Sequence, residues 1–333
     1  FTTAAGYWRL PAKPDDVDRR FLAMLIAYED KRFYQHRGVD PQALARAGLQ
    51  ALWNGRIVSG GSTLTMQVAR LLEPRPERRL TDKFAEMVRA IQIERRLSKT
   101  QILDLYLSLA PYGGNIEGLR AASLAYFGKE PKRLSTAEAA LLVALPQAPE
   151  ARRPDRAPGA AKSARDRVVA RLAKAGLINA DQMAAAIAEN SPSARQQFPM
   201  LAAHLSERLA KPERDGGVIV TTISRDLQAT LESLARERAT AFGSGVSAAI
   251  LVVDNATGEV RAHVGGVGFF DMARAGQVDL ASALRSPGST LKPFIYGLAF
   301  EDGLLHPQTL IDDRATRYGA YAPENFDDGF HGT

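Results

Sequence analysis

Two adjacent carboxylates, Glu29 and Asp30, stand where a predicted helix gives way to a loop that contains a glycine. The helix is predicted over residues 15–30, because apolar side chains recur there at the spacing of one helix face. Paired carboxylates at such a junction are typical of acid–base sites. A solvated helix end has the same pattern, so the pair alone leaves both interpretations open.

A second candidate site lies in residues 60–70, whose sequence is GGSTLTMQVAR. The glycine pair predicts a turn, and Ser62 or Thr63 then caps a helix whose free backbone N–H groups point one way. Thr63, Gln67 and Arg70 follow at helical spacing and share one polar face. This arrangement suits an anionic group, most simply a phosphate, although the spacing of a nucleotide P-loop is absent.

Basic residues follow that helix, and Arg78 and Lys83 lie close in sequence to the carboxylate of Glu86. Lys83 and Glu86 are three residues apart on a helix predicted over 82–97, so their side chains can touch. A surface ion pair of this kind contributes less than about 1 kcal/mol and usually has no function. Beside Arg70 and Arg78 the pair has a second interpretation, as a cationic clamp with one carboxylate inside it.

A third group of reactive side chains is Ser289 and Lys292, within the sequence RSPGSTLKPF at 285–294. The Pro-Gly pair predicts a turn, after which Ser289 opens a helix and lies one turn from Lys292. The lysine amine can then take the proton of the serine hydroxyl and activate it as a nucleophile. A capping serine with a solvent-facing lysine is the alternative. The helix is expected to bury one apolar stripe, formed by Leu291, Phe294, Ile295 and Leu298.

The elements that position these residues divide the chain into two parts of different character. The length of 333 residues alone predicts two domains. Almost the whole first part is predicted to be helical, with helices over 15–30, 63–72, 82–97, 99–109, 121–126, 136–145 and 160–175. The second part has a β-rich run at 218–223, a helix at 225–242 and a hairpin with strands at 247–253 and 259–264. We therefore expect domains at 1–190 and 217–333, joined by a linker at 191–216.

Composition excludes several kinds of site. The chain has no cysteine, which rules out disulfides and thiolate-bound zinc, and its five histidines lack the spacing of metal ligands. A formal net charge of +6 favours an anionic neighbour, such as nucleic acid, a membrane surface or a phosphate-bearing substrate. No apolar run reaches the roughly 18 residues that span a bilayer, and both ends are expected to be cut from a longer protein.

Taken in order, the motifs of the first part resemble the peptidoglycan glycosyltransferases of family 51. The similarity covers residues 8–149 and is carried by EDKRF at 29–33 with His36 and Gly38, residues 60–70, Lys83 with Glu86, KTQILDLYL at 99–107, YFGK at 126–129 and EAALL at 138–142. The resemblance implies that Glu29 is the general base for the acceptor sugar's 4-hydroxyl and that Glu86 assists the leaving group. It also implies a substrate-binding set of Asp30, Phe33, His36, Ser62, Thr63, Gln67, Arg70, Arg78 and Lys83, of which Arg70, Arg78 and Lys83 hold the donor's diphosphate. Asp82 stands where the family often has a basic residue, and Ser108 where an asparagine is common.

Residues 285–294, followed by YAPENF at 321–326, are similar to the start of the penicillin-binding transpeptidase domain. This resemblance implies that Ser289 and Lys292 are catalytic and that the stem peptide is the substrate. The complete site also needs Ser-x-Asn and Lys-Thr-Gly motifs, which are absent here, so we expect no transpeptidase activity from this chain. Four short runs, at 7–11, 110–115, 145–149 and 198–205, are most similar to the 1C subgroup of the bifunctional class A proteins.

The two resemblances together imply a multidomain protein, with a mainly α, lysozyme-like glycosyltransferase domain before an incomplete α/β penicillin-binding transpeptidase domain. They imply polymerisation of lipid II onto a lipid-linked glycan with release of undecaprenyl diphosphate, a membrane surface as partner, and no nucleic acid. The implied location is the bacterial inner membrane, with catalytic domains in the periplasm and the anchor helix missing from this chain. The sequence requires no cofactor, and the resemblance allows Mg²⁺ or Mn²⁺ at the donor diphosphate.

Residues 41–59 are apolar for a loop. A core helix and a segment that contacts the membrane explain this composition equally well, and the resemblance favours membrane contact.

Three other functions are compatible with parts of the pattern. A lysozyme-like glycosidase shares a helical fold and a catalytic glutamate, but it has no diphosphate to bind and does not explain the basic cluster around Arg70 and Lys83. An acyl-serine hydrolase, such as a carboxypeptidase or β-lactamase, does not explain the helical first part. A non-catalytic protein that binds lipid-linked sugar is the alternative that the sequence excludes least well.

Overall fold

The computed structural model describes residues 2–3, 5–54, 61–74, 80–210, 218–325 and 327–332, without the side chains of 48, 49, 51–54 and 80. The chain forms two compact units. The first comprises Phe1–Leu201 with Ser206–Thr221, and the second comprises Ala202–Leu205 with Thr222–Thr333. The domain boundaries expected from the sequence stay a prediction, although residues beyond 190 belong to the first unit.

The first unit is mainly helical, as the sequence predicts. Its helices are α1 (Arg19–Glu29), α2 (Pro41–Asn54), α3 (Leu64–Leu72), α4 (Leu80–Arg96), α5 (Lys99–Leu109), α6 (Leu119–Phe127), α7 (Thr136–Ala144), α8 (Pro158–Lys174) and α9 (Ala180–Ala188). Helix α2 lies where a core helix was one of two alternatives, α9 was not predicted, and the others match their predicted spans to within a few residues. Among the described residues, no helix is both long and apolar enough to cross a membrane.

Side-chain caps determine where several of these helices begin. Asp18 accepts a hydrogen bond from the backbone N–H of Arg20 at the start of α1, and the Thr63 hydroxyl accepts one from Met66 at the start of α3. Helices α5 and α7 begin with capping boxes at Ser98 and Ser135. Each cap satisfies a backbone donor that the helix itself leaves unpaired.

Helix α7 lies in the core of the first unit and packs against α1, α6, α8 and α9. It is apolar on every side, and Leu141, Leu142 and Val143 are at most 1% exposed. A helix of this kind is stable only when other helices surround it. Truncating one of these leucines to alanine is expected to cost about 2–5 kcal/mol of unfolding free energy.

A small sheet closes one end of the helical unit. Its strands are β1 (Trp8–Arg9), β2 (Pro111–Gly113) and β3 (Ile116–Glu117), in the order β1-β3-β2. Strand β1 runs parallel to β3, and β2 runs antiparallel to it. The ring of Trp8 stacks on Phe198 with centroids 4.2 Å apart, and the backbone N–H of Gln196 donates to Ala125 O at 2.7 Å. These contacts hold residues 196–198 on the helical unit.

The chain then forms α10 (Ala203–Leu209), which was not predicted, and α11 (Arg225–Phe242), which was. In the second unit, β4 (Ile250–Val253) and β5 (Val260–Val264) pair antiparallel, with Ile250 opposite Val264, and confirm the predicted hairpin. Helix α11 packs against β5 through Ala235 and Ala239. The side chain of Gln228, which is fully buried, bonds to both the N–H and the C=O of His263 and fixes the helix on the hairpin.

Two expectations for residues 217–333 are wrong. The β-rich run 218–223 forms no strand: Val220 is 91% exposed, and the Thr222 hydroxyl donates to the carbonyl oxygen of Val260. Helix α12 (Lys292–Glu301) does form, but its apolar stripe is not buried. Leu291, Phe294, Ile295 and Leu298 are between 45% and 69% exposed, since no described element packs over them.

Candidate active site of the helical unit

Glu29 is the last residue of α1, and its carboxylate is held by two amide side chains. Gln67 Nε2 donates to one carboxylate oxygen at 2.9 Å, and Gln147 Nε2 donates to the other at 2.7 Å. Gln67 comes from α3, and Gln147 ends the short 3-10 turn Leu145–Gln147 that follows α7. Three separate helical segments therefore meet at this carboxylate.

Asp30 is buried directly beside that site and stabilises the loop after α1. Its carboxylate contacts His36 Nε2 at 3.0 Å and accepts a bond of 2.9 Å from the backbone N–H of Leu64. The side chains of Asp30 and His36 are only 3% and 4% exposed. One buried carboxylate thus connects the end of α1 to the start of α3, and a direct contact of Asp30 or His36 with substrate stays a prediction.

Phe33 lies under the same loop and is fully buried. The ammonium group of Lys99 sits 4.4 Å from its ring centroid, which is a cation–π contact, and also donates to the carbonyl oxygen of His36 at 2.8 Å. Lys99 forms an ion pair with Glu94, which accepts a further bond from the Thr65 hydroxyl. These contacts hold the loop after α1 in place. The contact of Phe33 with substrate stays a prediction.

A close backbone approach makes a glycine necessary at position 38. Gly38 has φ +91, and a Cβ atom there would lie 2.6 Å from the carbonyl oxygen of Ala90 on α4. The hydroxyl of Thr63 donates to the carbonyl oxygen of Gly38 at 2.6 Å. Any larger residue at 38 would push the loop away from both α3 and α4.

Lys83 connects α4 to the start of α3. Its ammonium group donates to Ser62 Oγ at 2.5 Å and to Glu86 Oε2 at 2.9 Å, so the predicted contact between Lys83 and Glu86 is confirmed. Ser62 directly precedes the N-cap residue Thr63 of α3, and Gln67 is the fourth residue of that helix. The bond partners of Lys83 and of Glu29 are therefore five residues apart in the chain.

Arg70 follows Gln67 by one turn of α3, and its charge acts on the buried phenol of Tyr106. Burial raises the pKa of Tyr106, the negative charge of Glu29 raises it further, and the positive charge of Arg70 opposes that rise. Both charges thus act on the same buried phenol. Among the described residues, Arg70 takes part in no ion pair or hydrogen bond. Arg78 lies outside the described residues.

The sequence did not single out Gln147 or its neighbour Arg152 as site residues. Arg152 Nη1 donates to Gln147 Oε1 at 3.1 Å and to the carbonyl oxygen of Ala144 at 2.6 Å. Gln147 and Glu29 are 118 residues apart in the chain, so no local spacing connects them. The two residues meet because α7 packs against α1 in the folded chain.

The second candidate pair, Ser289 and Lys292, lies in the other unit. Ser289 is in a 3-10 turn (Gly288–Leu291), Lys292 begins α12, and both side chains are exposed. No hydrogen bond joins the lysine amine to the serine hydroxyl, so the expected activating contact is not formed in this structure. An exposed lysine has many accessible rotamers, and the described residues supply nothing that restricts it.

Comparison with known proteins identifies the class. The family model "Transglycosylase" matches residues 2–173, and the model "Penicillin binding protein transpeptidase domain" matches residues 248–329. The chain belongs to the transglycosylase family and has the domain order of the bifunctional class A penicillin-binding proteins. The helical unit is its peptidoglycan glycosyltransferase domain, and a small α/β part of the transpeptidase domain follows.

Two curated relatives agree with this assignment. The chain is 47% identical over 332 residues to penicillin-binding protein 1C of Escherichia coli (strain K12), covering 100% of this chain and 43% of that protein. It is 29% identical to penicillin-binding protein 1F of Bacillus subtilis (strain 168), covering 97% of this chain and 47% of that protein. A crystal structure of penicillin-binding protein 1A from Haemophilus influenzae covers 99% of this chain and 57% of that chain, at 18% identity and a TM-score of 0.36. The similarity to the 1C subgroup is confirmed, and the chain spans less than half the length of these two curated relatives.

Proposed function

We propose that the helical unit polymerises lipid II into glycan strands and releases undecaprenyl diphosphate, with Glu29 as the general base. One observation carries this proposal: Glu29 bonds to Gln67 on α3, and Lys83 bonds to Ser62, which directly precedes the N-cap residue Thr63 of that helix. A proton acceptor and a cation that can bind phosphate are thereby both held by the chain around the start of α3. Membership of the transglycosylase family supports the same reaction class.

Glu29 takes the proton of the acceptor sugar's 4-hydroxyl in this proposal. The acceptor oxygen then bonds to the donor's anomeric carbon with inversion, while the bond from that carbon to the diphosphate oxygen breaks. A carboxylate contributes to such a step when it is held within hydrogen-bond reach of the hydroxyl. Gln67 and Gln147 restrict its orientation from two sides, and each oxygen keeps a further lone pair for the incoming hydroxyl.

Negative charge that develops on the departing diphosphate is stabilised by Arg70 and Lys83. Fixed cations aimed at developing charge are among the largest contributions to catalysis. The N-terminus of α3, capped by Thr63, adds its positive end to the same place. Arg78 belongs to this group in the proposal, and the pairing of Glu86 with Lys83 gives Glu86 a position next to the leaving group.

In this proposal a divalent ion, Mg²⁺ or Mn²⁺, would bind beside Glu86, whose carboxylate is paired with the Lys83 ammonium group at 2.9 Å. Groups of three or more potential ligand residues are absent from the described residues. Mg²⁺ needs no such cage, because one or two carboxylates together with substrate phosphates and water hold it in many enzymes. Glu86 is therefore the residue that would bind the ion, whose charge would help to neutralise the diphosphate.

The membrane surface is a proposed partner, in line with a lipid-linked substrate. Phe84, Val88 and Ile91 on α4 are exposed, although their spacing is that of a buried stripe. Together with the loop after α1, which contributes Arg32 and Arg37, and the start of α2, they line an open groove of about 920 Å³. Exposed apolar surface of this kind is typical of membrane or partner contact. We propose that the protein acts at the outer face of the bacterial inner membrane, with the stem peptide as substrate of the complete transpeptidase domain.

The test is an assay with labelled lipid II in detergent, with and without a divalent ion. Polymers on a gel, with undecaprenyl diphosphate released in proportion, are the expected result. Shortened glycan from preformed strands, with no product from lipid II, would favour a lysozyme-like hydrolase instead. Binding of lipid II without product under all ionic conditions would favour a non-catalytic role.

A further inference from the structure

The side-chain amide of Gln147 bonds both to the Arg152 guanidinium and to the carboxylate of Glu29, the proposed base. Its NH₂ group donates to Glu29 at 2.7 Å, and its carbonyl oxygen accepts from the Arg152 guanidinium at 3.1 Å. Arg152 is fixed in turn by a 2.6 Å bond to the carbonyl oxygen of Ala144 at the end of α7. A series of hydrogen bonds therefore runs from the end of α7 through Arg152 and Gln147 to the Glu29 carboxylate.

The partners of Gln147 determine which way its amide points. A guanidinium only donates hydrogen bonds, so the amide oxygen must face Arg152. An ionised carboxylate only accepts, so the NH₂ group must face Glu29. The reversed amide would place two donors together at Arg152 and two acceptors together at Glu29. Arg152 therefore selects the rotamer in which Gln147 serves as a donor.

The amide also keeps the positive charge at a distance from Glu29. An arginine in direct contact with a carboxylate favours the ionised form strongly and occupies it with a bidentate ion pair. The two donors on Glu29, Gln67 and Gln147, are instead neutral, and each occupies one oxygen. Among the described residues, none forms a salt bridge with Glu29 that would compete with the substrate hydroxyl.

We propose that Gln147, oriented by Arg152, is a positioning residue that sets the direction of the Glu29 carboxylate for proton abstraction. This inference rests on the proposed function and adds to it a residue outside the glycine-rich and basic motifs. It requires that Gln147 act on turnover more than on substrate binding, because it contacts the base and not the diphosphate site.

The experiment compares lipid II polymerisation by the 333-residue chain and by Gln147→Ala. Loss of one hydrogen bond to a charged group, partly exposed to water, is expected to lower kcat about fivefold to tenfold. The KM for lipid II should stay within about twofold, since a group that acts on chemistry alone leaves ground-state binding unchanged. Gln92→Ala is the matched control, because Gln92 is an exposed glutamine that likewise accepts from an arginine, Arg89, at 3.1 Å. Unchanged kcat in Gln147→Ala, or an equal loss in the control, would overturn the proposal.

Variants at Arg152 test the orientation step. Arg152→Lys keeps a donor for the Gln147 oxygen and should restore most of the kcat that Arg152→Met loses. In the double variant with Gln147→Ala, the Arg152→Met change should cause no further loss, because its effect passes through the amide. Additive losses would show that Arg152 acts by another route and would contradict the proposal.

A measurement without turnover separates this inference from the proposed function. If the unsubstituted chain does not polymerise lipid II, the proposed function fails whatever Gln147 does. A double-mutant cycle on thermal unfolding, with Glu29→Ala and Gln147→Ala, then reports the link directly. If the two substitutions have non-additive effects on the free energy of unfolding, the positioning contact is supported. Strictly additive effects would overturn it.

Discussion

Gln67 donates a hydrogen bond of 2.9 Å to Glu29, so that the proposed base is tied to the helix that begins the anion site. The same helix starts at Thr63, whose hydroxyl also bonds to the Gly38 carbonyl, and is preceded by Ser62, which accepts from Lys83. The two halves of the proposed reaction, proton removal and diphosphate departure, thus share one structural element. Displacing α3 is expected to impair both.

Arg70→Ala is expected to weaken use of the lipid II donor. The variant loses a charge-assisted contact with the diphosphate, which typically contributes about 1.5–3 kcal/mol, so kcat/KM should fall roughly tenfold to hundredfold. Steady-state kinetics over a range of lipid II concentrations measure this. Arg95→Ala, at an exposed arginine in the last turn of α4, is the control and should change little. Equal kinetics for Arg70→Ala and the control would remove Arg70 from the diphosphate site.

Asp30→Ala is expected to lower stability more than any exposed aspartate would. The substitution leaves His36 and the Leu64 N–H without their buried partner, at a cost of about 3 kcal/mol. For a unit of this size, that corresponds to a Tm lower by roughly 6–12 °C. Calorimetry should show the shift, whereas Asp181→Ala, at an exposed aspartate in the first turn of α9, should shift Tm only slightly. A Tm unchanged by Asp30→Ala would mean that the buried contact adds nothing to the fold.

The Asp155 ion pairs predict a specific loss of stability in acid. The Arg153 guanidinium, with Arg195 nearby, holds the pKa of Asp155 below its usual value. Because the folded pKa lies below the unfolded one, this stabilisation is fully present above about pH 4 and is lost as the pH falls through the folded pKa. Asp155→Asn should therefore be less stable than the unsubstituted chain by roughly 1 kcal/mol near neutral pH, with the difference vanishing in strong acid. Urea unfolding at both pH values measures this, and a difference that grows on acidification would give the opposite sign.

The sequence predicted most of the helices because their periodicity and caps are local signals. Helix α5 matches its predicted span at both ends, with Ser98 and Gln101 forming the capping box. A helix was one of two alternatives for residues 41–59, and α2 does form there, with Pro41 at its first position as is typical of a helix start. Periodicity predicted the apolar stripe of α12 but could not predict whether another element covers it, and the stripe is exposed.

The candidate site was predictable as a set of residues and not as a set of contacts. Glu29, Gln67 and Lys83 were predicted from motifs, and the ion pair of Lys83 with Glu86 followed from helical spacing. The contact of Gln147 with Glu29 depends on the packing of α7 against α1. Such long-range contacts have no sequence period, which is why Gln147 and Arg152 were found only in the folded chain.

The most direct test of the account is lipid II polymerisation by Glu29→Gln. An amide at position 29 has nearly the same shape and cannot accept the proton of the acceptor hydroxyl, so the rate should fall by about 10²–10⁴. The fold should stay intact, with a thermal unfolding transition close to that of the unsubstituted chain. Polymerisation by Glu29→Gln at the normal rate would contradict the assignment of Glu29 as the base.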